Sequence, residues 1–228
     1  IPRITYEELR EAAPTYLDFE YKKYEKGLLR ADGQPGFQTA TGRIELWSSY
    51  FNQIGIECVP SFDEPSPGPV ADPEMYKEYP LILTTGARTW SLFHSEHRQV
   101  PRLRALRPDP VLQMHPKAAE QYGIAEGDWV WVENHRGRAK RRVQLTEALD
   151  PRYCSTDHGW WMPEQAGWED GGFSGMYDYN INQLLAYDPG RSGFGSNYKT
   201  VLCRVYKCEQ GDHNTLANPL GSYAKVGE

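Results

Sequence analysis

Cysteine is scarce in this chain: only four occur among its 228 residues. None of them belongs to a CxxC pair, and their spacing is not typical of a zinc or iron–sulfur site. We therefore expect ordinary thiols, mostly buried on strands, where cysteine behaves as a small hydrophobic residue. The four residues are Cys58, Cys154, Cys203 and Cys208.

Long apolar runs and an excess of positive charge are also lacking. No run approaches the roughly 20 apolar residues that a membrane-spanning helix needs. The first residues, IPRITYEELREAAP, lack the charged and apolar regions of a signal peptide. The net charge of −6 argues against a nucleic-acid-binding surface, which is usually basic. It is compatible with a phosphate-bearing cofactor, because a few local cations and backbone N–H groups are enough to bind one.

The residues that are present indicate a folded, mainly β domain. The composition, 39% hydrophobic and 25% charged, argues against disorder across the whole chain. From Pro80 onward, apolar and β-branched runs predict five strands: Leu81–Thr85, Val111–Met114, Trp129–Glu133, Ala139–Leu145 and Val201–Tyr206. Short helices are predicted after a capping box at Thr5 and over Ser48–Gln53, Pro116–Tyr122 and Asn180–Leu185. Few helices between many strands favour a compact barrel over a doubly wound sheet.

Proline is concentrated in one segment. Six of the 17 prolines lie at positions 60, 65, 67, 69, 73 and 80. Because proline lacks an N–H and has a fixed φ, this density favours an extended connecting arm, residues 59–79, over a helix or a central strand.

The segment His115–Leu145 predicts a helix followed by a hairpin. Pro116 suits a first helical position, and Gly123 suits a helix end in the left-handed region. A turn at Gly127 then leads into the first strand, and Arg136-Gly137 is predicted to close the hairpin. His115 directly precedes the helix, where it is a candidate ligand contact or simply a capping or exposed histidine.

Two further motifs could bind a phosphate-bearing ligand. An apolar strand ending in Thr84-Thr85-Gly86 exposes hydroxyl and N–H groups, and Arg88 could pair with a phosphate through two hydrogen bonds. The alternative is a plain turn with a solvated arginine. Lys199 could likewise offset phosphate charge or be an ordinary surface lysine.

Two polar and aromatic runs come later in the chain. The run HGWWMPE, His158–Glu164, could be core packing at a tight turn or, with Trp168 and Tyr177, a carbohydrate platform. The run NINQL, which contains Asn182, precedes Asp188-Pro189. An asparagine amide can donate to and accept from the edge of a fused ring.

Taken in order, these blocks resemble the carboxy-terminal dinucleotide-binding domain of molybdopterin oxidoreductases, the dimethyl-sulfoxide-reductase superfamily. The segment from Pro116 to Gly137 fits the pattern P-x-x-A-x-x-x-G-I-x-x-G-D-x-V-x-V-x-x-x-x-G, and FQTATGRIEL, residues 37–46, is similar to the segment that precedes this domain. The HGWW run is similar to the acetylene-hydratase, transhydroxylase and thiosulfate- or polysulfide-reductase-like branch. Two features depart from the pattern: Ala87 separates Gly86 from Arg88, and His115 stands where asparagine is frequent.

The resemblance implies a double-psi six-stranded β-barrel, aspartate-decarboxylase-like, over residues 80–208, with short helices and an extended amino-terminal arm. Residues 1–58 would end a preceding domain, residues 59–79 would connect, and residues 209–228 would form a tail. The implied ligand is bis-molybdopterin guanine dinucleotide. One stretch of it would contact Thr85, Gly86, Arg88, His94 and Ser95, with His115 near the guanosine end. The pterin would face His158, Gly159 and Asn182. Trp160, Asn197 and Lys199 complete the expected set of cofactor-binding residues, with Lys199 offsetting phosphate charge.

The resemblance also implies that this chain is part of a larger molybdenum or tungsten enzyme and is inactive alone. The metal ligand and the 4Fe-4S cysteines would lie in other domains. The expected partners are those domains and an iron–sulfur electron-transfer subunit, with no nucleic acid. Two alternatives stay open here: a sugar- or peptide-binding module built on the aromatic clusters, and a self-contained barrel enzyme that cleaves itself at Gly195-Ser196 or Gly221-Ser222.

Overall fold

The computed structural model describes residues 4–14, 19–93, 96–165, 173–186, 198–209 and 211–214. The chain divides into two compact units, Ile1–Ser61 and Phe62–Glu228. Helices in the described part of the first unit are α1 (Tyr6–Ala12) and α2 (Ser49–Gln53). Both were predicted. The predicted boundaries at residues 58, 79 and 208 stay a prediction.

Helix α1 begins with the expected capping box. The Thr5 hydroxyl accepts the Glu8 N–H at 3.3 Å, and the Glu8 carboxylate accepts the Thr5 N–H at 2.8 Å. Two backbone donors at the start of the helix are thereby satisfied. Helix α2 is capped by the Ser48 hydroxyl, which accepts the Phe51 N–H at 3.1 Å.

The second unit contains a closed six-stranded barrel. Its strands are β1 (Leu81–Ala87), β2 (Val111–Met114), β3 (Trp129–Asn134), β4 (Gly137–Leu145), β5 (Tyr153–Asp157) and β6 (Val201–Lys207). Their order around the barrel is β1-β5-β2-β4-β3-β6. The pairs β1–β5 and β2–β4 are parallel, and the other neighbours are antiparallel. The predicted fold class, a mainly β, double-psi six-stranded barrel with short helices, is confirmed.

Short helices connect the strands. They are α3 (Pro73–Glu78), α4 (Pro101–Arg104), α5 (Pro116–Gln121) and α6 (Met176–Tyr179), with 3₁₀ turns at Phe173–Gly175 and Ile181–Leu184. The predicted helix at Pro116 is confirmed, and Gly123 follows it with φ of 65°. The segment predicted as Asn180–Leu185 is a 3₁₀ turn. Among the described residues, no helix has the length and apolarity to cross a membrane.

Alternate side chains of the strands fill the barrel. Leu83, Leu112, Met114, Val130 and Val132 are fully buried and contribute to one hydrophobic cluster. Removing such side chains from water is the main stabilising contribution to a domain of this kind.

Two of the cysteines lie in this core. Cys154 on β5 and Cys203 on β6 are fully buried free thiols with their sulfur atoms 3.6 Å apart. Cys58 and Cys208 are half-buried and lie outside the strands, so the expectation of strand burial holds for two of the four.

Three details differ from the sequence predictions. The extended arm is wrong for Pro73–Glu78, which forms α3 because proline is tolerated at the first helical position. Strand β5 was not predicted: its run YCSTD has little apolar character, yet it lies between β1 and β2. Gly137 pairs with Asn134, so the hairpin turn is His135-Arg136, one residue earlier than predicted.

A buried carboxylate connects two strands. Glu133 on β3 is 7% exposed and accepts hydrogen bonds from Arg204 and from the Tyr206 hydroxyl, both on β6. Burial raises the pKa of Glu133, but the bonds from Tyr206 and Arg204 outweigh it, so the pKa lies below its usual value.

We predict that Glu133→Gln destabilises the chain by about 1–3 kcal/mol at pH 7, because a charge-assisted pair is lost. A lowered pKa in the folded state stabilises the protein above the unfolded value of about 4.3, and this contribution disappears as the pH falls through the folded value. The difference between variant and parent should therefore shrink below about pH 4. Urea unfolding at several pH values measures it. Glu74→Gln, at an exposed pair with Lys77, is the control and should change little. An equal deficit at every pH would contradict the prediction.

Candidate functional site

A pocket of about 550 Å³ lies where four chain segments meet. These are the end of β1, the segment after β5, the 3₁₀ turn Ile181–Leu184 with the residues after it, and the segment before β6. The volume is within the range of about 300–1,000 Å³ that is usual for small-molecule sites. Its lining residues are Thr85, Gly86, Arg88, His158, Asn182, Leu185, Ala186, Tyr198 and Lys199.

A glycine bulge forms part of the pocket wall. The register of β1 against β5 shifts between Thr85 and Ala87, so Gly86 is the extra residue. Its φ is 91°, a backbone angle that residues with a side chain rarely adopt. A Cβ at this position would lie 3.1 Å from Lys199 Nζ. The bulge therefore lets the backbone approach the lysine closely.

Lys199 is fixed against the end of β1. Its Nζ donates to the Thr85 carbonyl oxygen at 2.7 Å. The Thr85 N–H and hydroxyl both donate to the Tyr198 carbonyl, at 2.9 and 3.2 Å. These bonds hold two segments together that are far apart in the chain.

The pocket is cationic. Lys199 and Arg88 line it, and the described lining residues include no carboxylate. Cations with exposed donors favour an anionic ligand such as a phosphate ester.

The opposite wall has an oriented amide. The Gly159 N–H donates to Asn182 Oδ1 at 3.2 Å, and the Ile181 N–H donates to the Gly159 carbonyl at 3.2 Å. Asn180 Oδ1 accepts the Asn182 N–H at 2.9 Å and fixes the 3₁₀ turn. Because the Asn182 oxygen is already engaged, its NH₂ group is left to donate to a ligand acceptor.

A buried arginine supports this wall. Arg141 on β4 is fully buried, and burial lowers the pKa of its guanidinium to about 9. Its Nη1 donates to the Tyr179 carbonyl at 2.5 Å, and its Nε donates to the Thr156 hydroxyl at 2.7 Å. Its Nη2 lies 3.5 Å from the Gly159 carbonyl oxygen. Nothing in the sequence marks Arg141, because alternation on a strand cannot distinguish a buried arginine from an exposed one.

An ion pair, together with a threonine hydroxyl, holds the loop after β1. Arg107 donates to Asp157 Oδ2 through Nε and Nη2 at 3.2 and 3.0 Å, and the Thr89 hydroxyl donates to Asp157 Oδ1 at 3.1 Å. Thr89 follows Arg88 directly, so these bonds restrain the arginine at the pocket. Asp157 ends β5, a strand that the sequence pattern does not predict.

Six of the twelve predicted site residues line the pocket together: Thr85, Gly86, Arg88, His158, Asn182 and Lys199. Gly159 is bonded to one of them. Leu185, Ala186 and Tyr198 line the pocket but were not predicted as site residues. His94, Ser95 and Asn197 lie outside the described residues, as do Asp188-Pro189 and both Gly-Ser pairs of the self-cleavage alternative.

Two predicted residues lie elsewhere. Trp160 is 2% exposed, with the Arg98 guanidinium 3.4 Å from its ring centroid, and it packs in a hydrophobic cluster with Tyr179. His115 caps α5, since its Nδ1 accepts the Lys117 N–H at 3.0 Å. The capping alternative for His115 therefore describes the contact that is present.

The residues present fit a dinucleotide with a fused-ring head. The pocket has cations that could pair with phosphates, a glycine bulge without a Cβ, and an Asn182 side chain whose oxygen is fixed by the Gly159 N–H, so that its NH₂ group could donate to a ring acceptor. Among the described residues, no group of three or more His, Cys, Asp or Glu side chains could hold a metal ion.

Comparison with known proteins agrees with this geometry. The chain is 38% identical over 177 residues to the acetylene hydratase of Syntrophotalea acetylenica, which covers 76% of this chain and 24% of the relative. It is 34% identical over 224 residues to the dopamine dehydroxylase of Eggerthella lenta, covering 88% and 21%. The solved structure of acetylene hydratase from Pelobacter acetylenicus is similar with a TM-score of 0.75 and 35% identity, covering 88% of this chain and 28% of that one.

The chain thus spans about a quarter of the length of the curated relatives that it matches. The resemblance to molybdopterin oxidoreductases is confirmed. The profile of the molydopterin dinucleotide binding domain matches residues 81–202. Because this match covers more than half of the chain, the protein belongs to that family.

Proposed function

We propose that the pocket binds one end of a bis-molybdopterin guanine dinucleotide cofactor, as the carboxy-terminal domain of a larger molybdenum or tungsten enzyme. The observation that carries the proposal is the convergence of Gly86, Lys199 and Asn182 on one cationic pocket in a chain of this family. When bound, such a cofactor supplies the metal-centred chemistry, while the protein supplies position and electrostatics.

The roles of the residues follow from their contacts. Lys199, held by the Thr85 carbonyl, and Arg88, restrained through its neighbour Thr89, would hold the phosphates. Asn182 would donate its NH₂ group to a ring acceptor, and His158 would face the same ring. The metal ligand and the iron–sulfur cluster would belong to other domains, with an iron–sulfur electron-transfer subunit as the further partner.

Exposed apolar side chains in the first unit support the proposal that this chain is part of a larger protein. Its described hydrophobic side chains are all at least partly exposed, and Phe19, Tyr21 and Leu46 are 77%, 71% and 85% exposed. Exposed apolar side chains such as these are available to pack against another protein surface. We infer that these side chains pack against preceding domains of the same enzyme.

The relatives named as a hydratase and a dehydroxylase share this domain. A domain that holds the cofactor can serve both kinds of reaction, since residues near the metal choose the substrate. Hydration, dehydroxylation, transhydroxylation or reduction of a sulfur compound are the proposed reaction classes for the parent enzyme.

The test is the cofactor content of the full-length protein, made in a host that synthesises the cofactor and measured as pterin fluorescence per polypeptide. We expect cofactor in the parent and about tenfold less in Lys199→Gln, equivalent to about 1.4 kcal/mol of lost binding. Lys117→Gln, at an exposed lysine outside the pocket, is the matched control and should retain it. A parent without cofactor, or equal content in the two variants, would overturn the proposal.

A further inference from the structure

Arg141 has an unusual position for a charged residue. It lies on β4 between Ala139 and Val143, which point into the hydrophobic cluster, and alternation puts Arg141 on the same inward face. Its cross-strand partner on β3 is Val130, a fully buried core residue. The side chain of Arg141 is itself 0% exposed.

The partners of this guanidinium are neutral oxygens. In the described part of the chain they are the Thr156 hydroxyl at 2.7 Å and the carbonyls of Lys140 and Tyr179 at 2.7 and 2.5 Å, with the Gly159 carbonyl oxygen at 3.5 Å. None of these groups is a carboxylate. Burial lowers the pKa of this guanidinium most, the nearby Asp157 carboxylate raises it, and Arg98 and Arg107 lower it. Burying a charge without a directly bonded carboxylate is costly, and an apolar residue of similar volume would often be as stable or more stable. Stability alone therefore gives little reason for an arginine here.

The carbonyls that it contacts belong to both parts of the pocket wall. Gly159 follows His158, and its N–H orients Asn182. Tyr179 precedes Asn180, whose side chain caps the Asn182 N–H. The Arg141 guanidinium therefore contacts both segments of this wall, the one that carries His158 and the one that carries Asn182.

We propose that Arg141 is a positioning residue, which sets the spacing between His158 and Asn182 by holding their two segments on β4. The identification of the ligand rests on the proposed function, whereas the contacts of Arg141 do not. The planar fork of arginine reaches several acceptors at once, and a lysine at this position would reach fewer of them.

The first test is amide hydrogen exchange by NMR on the full chain. Arg141→Met and Arg141→Lys should each raise exchange at the Gly159 and Ile181 amides about tenfold more than at Val205 in the barrel. Val143→Ala, on the same face of the same strand, is the control for lost packing and should show no such local excess. An excess as large in Val143→Ala, or none in the two arginine variants, would overturn the proposal.

The parent chain provides a second test if the variants fail to fold. The Arg141 Nε–H should exchange at least about a hundredfold more slowly than the Nε–H of exposed Arg102, because it donates to Thr156 inside the barrel. Equal exchange rates at the two arginines would refute the fixed geometry.

Cofactor retention in the full-length protein separates this proposal from the proposed function. We expect Arg141→Lys to lower the cofactor content about tenfold relative to Val143→Ala. Full retention alongside faster exchange at Gly159 would overturn the positioning role. If the parent itself holds no cofactor, the proposed function fails. The exchange data alone then decide whether Arg141 sets the spacing between His158 and Asn182.

Discussion

Gly86→Ala should reduce the cofactor content of the full-length protein at least about tenfold. The added methyl group would lie 3.1 Å from Lys199 Nζ, so the amine must move away from the Thr85 carbonyl that now holds it. The same substitution strains a backbone with φ of 91°, which costs about 1–2 kcal/mol for a residue with a side chain. Pterin fluorescence per polypeptide and thermal unfolding measure the two effects.

The variant Gly123→Ala distinguishes the effect of backbone strain from a direct effect on the pocket. Gly123 also has a positive φ, 65°, but a Cβ there would meet no atom within 4 Å. We expect a similar loss of stability in both variants and a loss of cofactor in Gly86→Ala alone. If Gly123→Ala loses as much cofactor, the effect is general destabilisation, and the close approach at Gly86 has no special role.

Asn182→Asp should accelerate cofactor dissociation about 100-fold, equivalent to about 2.8 kcal/mol. The carboxylate can still accept the Gly159 N–H, so the wall keeps its shape. It cannot offer the NH₂ donor, and it brings a negative charge into a pocket that is proposed to hold phosphates. The loss of pterin fluorescence from diluted full-length protein gives the rate.

Asn180→Asp is the matched control for Asn182→Asp. It adds the same charge two residues away, and aspartate can still cap the Asn182 N–H as asparagine does now. We expect its dissociation rate to stay within about threefold of the parent rate. Equal acceleration in both variants would mean that charge in this region, and not the amide donor of Asn182, controls binding.

Much of the barrel was predictable from local pattern. All five predicted strands are present, because each carries a short apolar or β-branched run, alternating in some strands and continuous in others. Strand β5 was missed because its small polar residues are buried by β1 and β2, and this burial depends on contacts that are distant in sequence. The helix at Pro73 was missed because proline density was interpreted without its position within the helix.

The site residues also fall into those that sequence motifs predict and those that only the structure identifies. Short motifs predicted Gly86, Asn182 and Lys199, which the fold brings to one pocket. Trp160 belongs to an equally recognisable motif, yet it packs against Arg98 inside the protein. Adjacent residues on one irregular segment can point to opposite sides, and sequence gives no period there. Arg141 carries no motif, so only its contacts identify it.

The order of strands around the barrel has a consequence for how the protein is made. Strand β1 pairs with β5 and β6, the last two in chain order of the six described strands. Such distant pairings are slow to form, because the entropy of closing a long loop is lost before the strand contacts can compensate for it. The pocket draws on residues from Thr85 to Lys199, so a growing chain lacks part of the pocket until Lys199 has left the ribosome. If the pocket binds the cofactor as proposed, all of its binding residues become available only after the chain has been translated through Lys199.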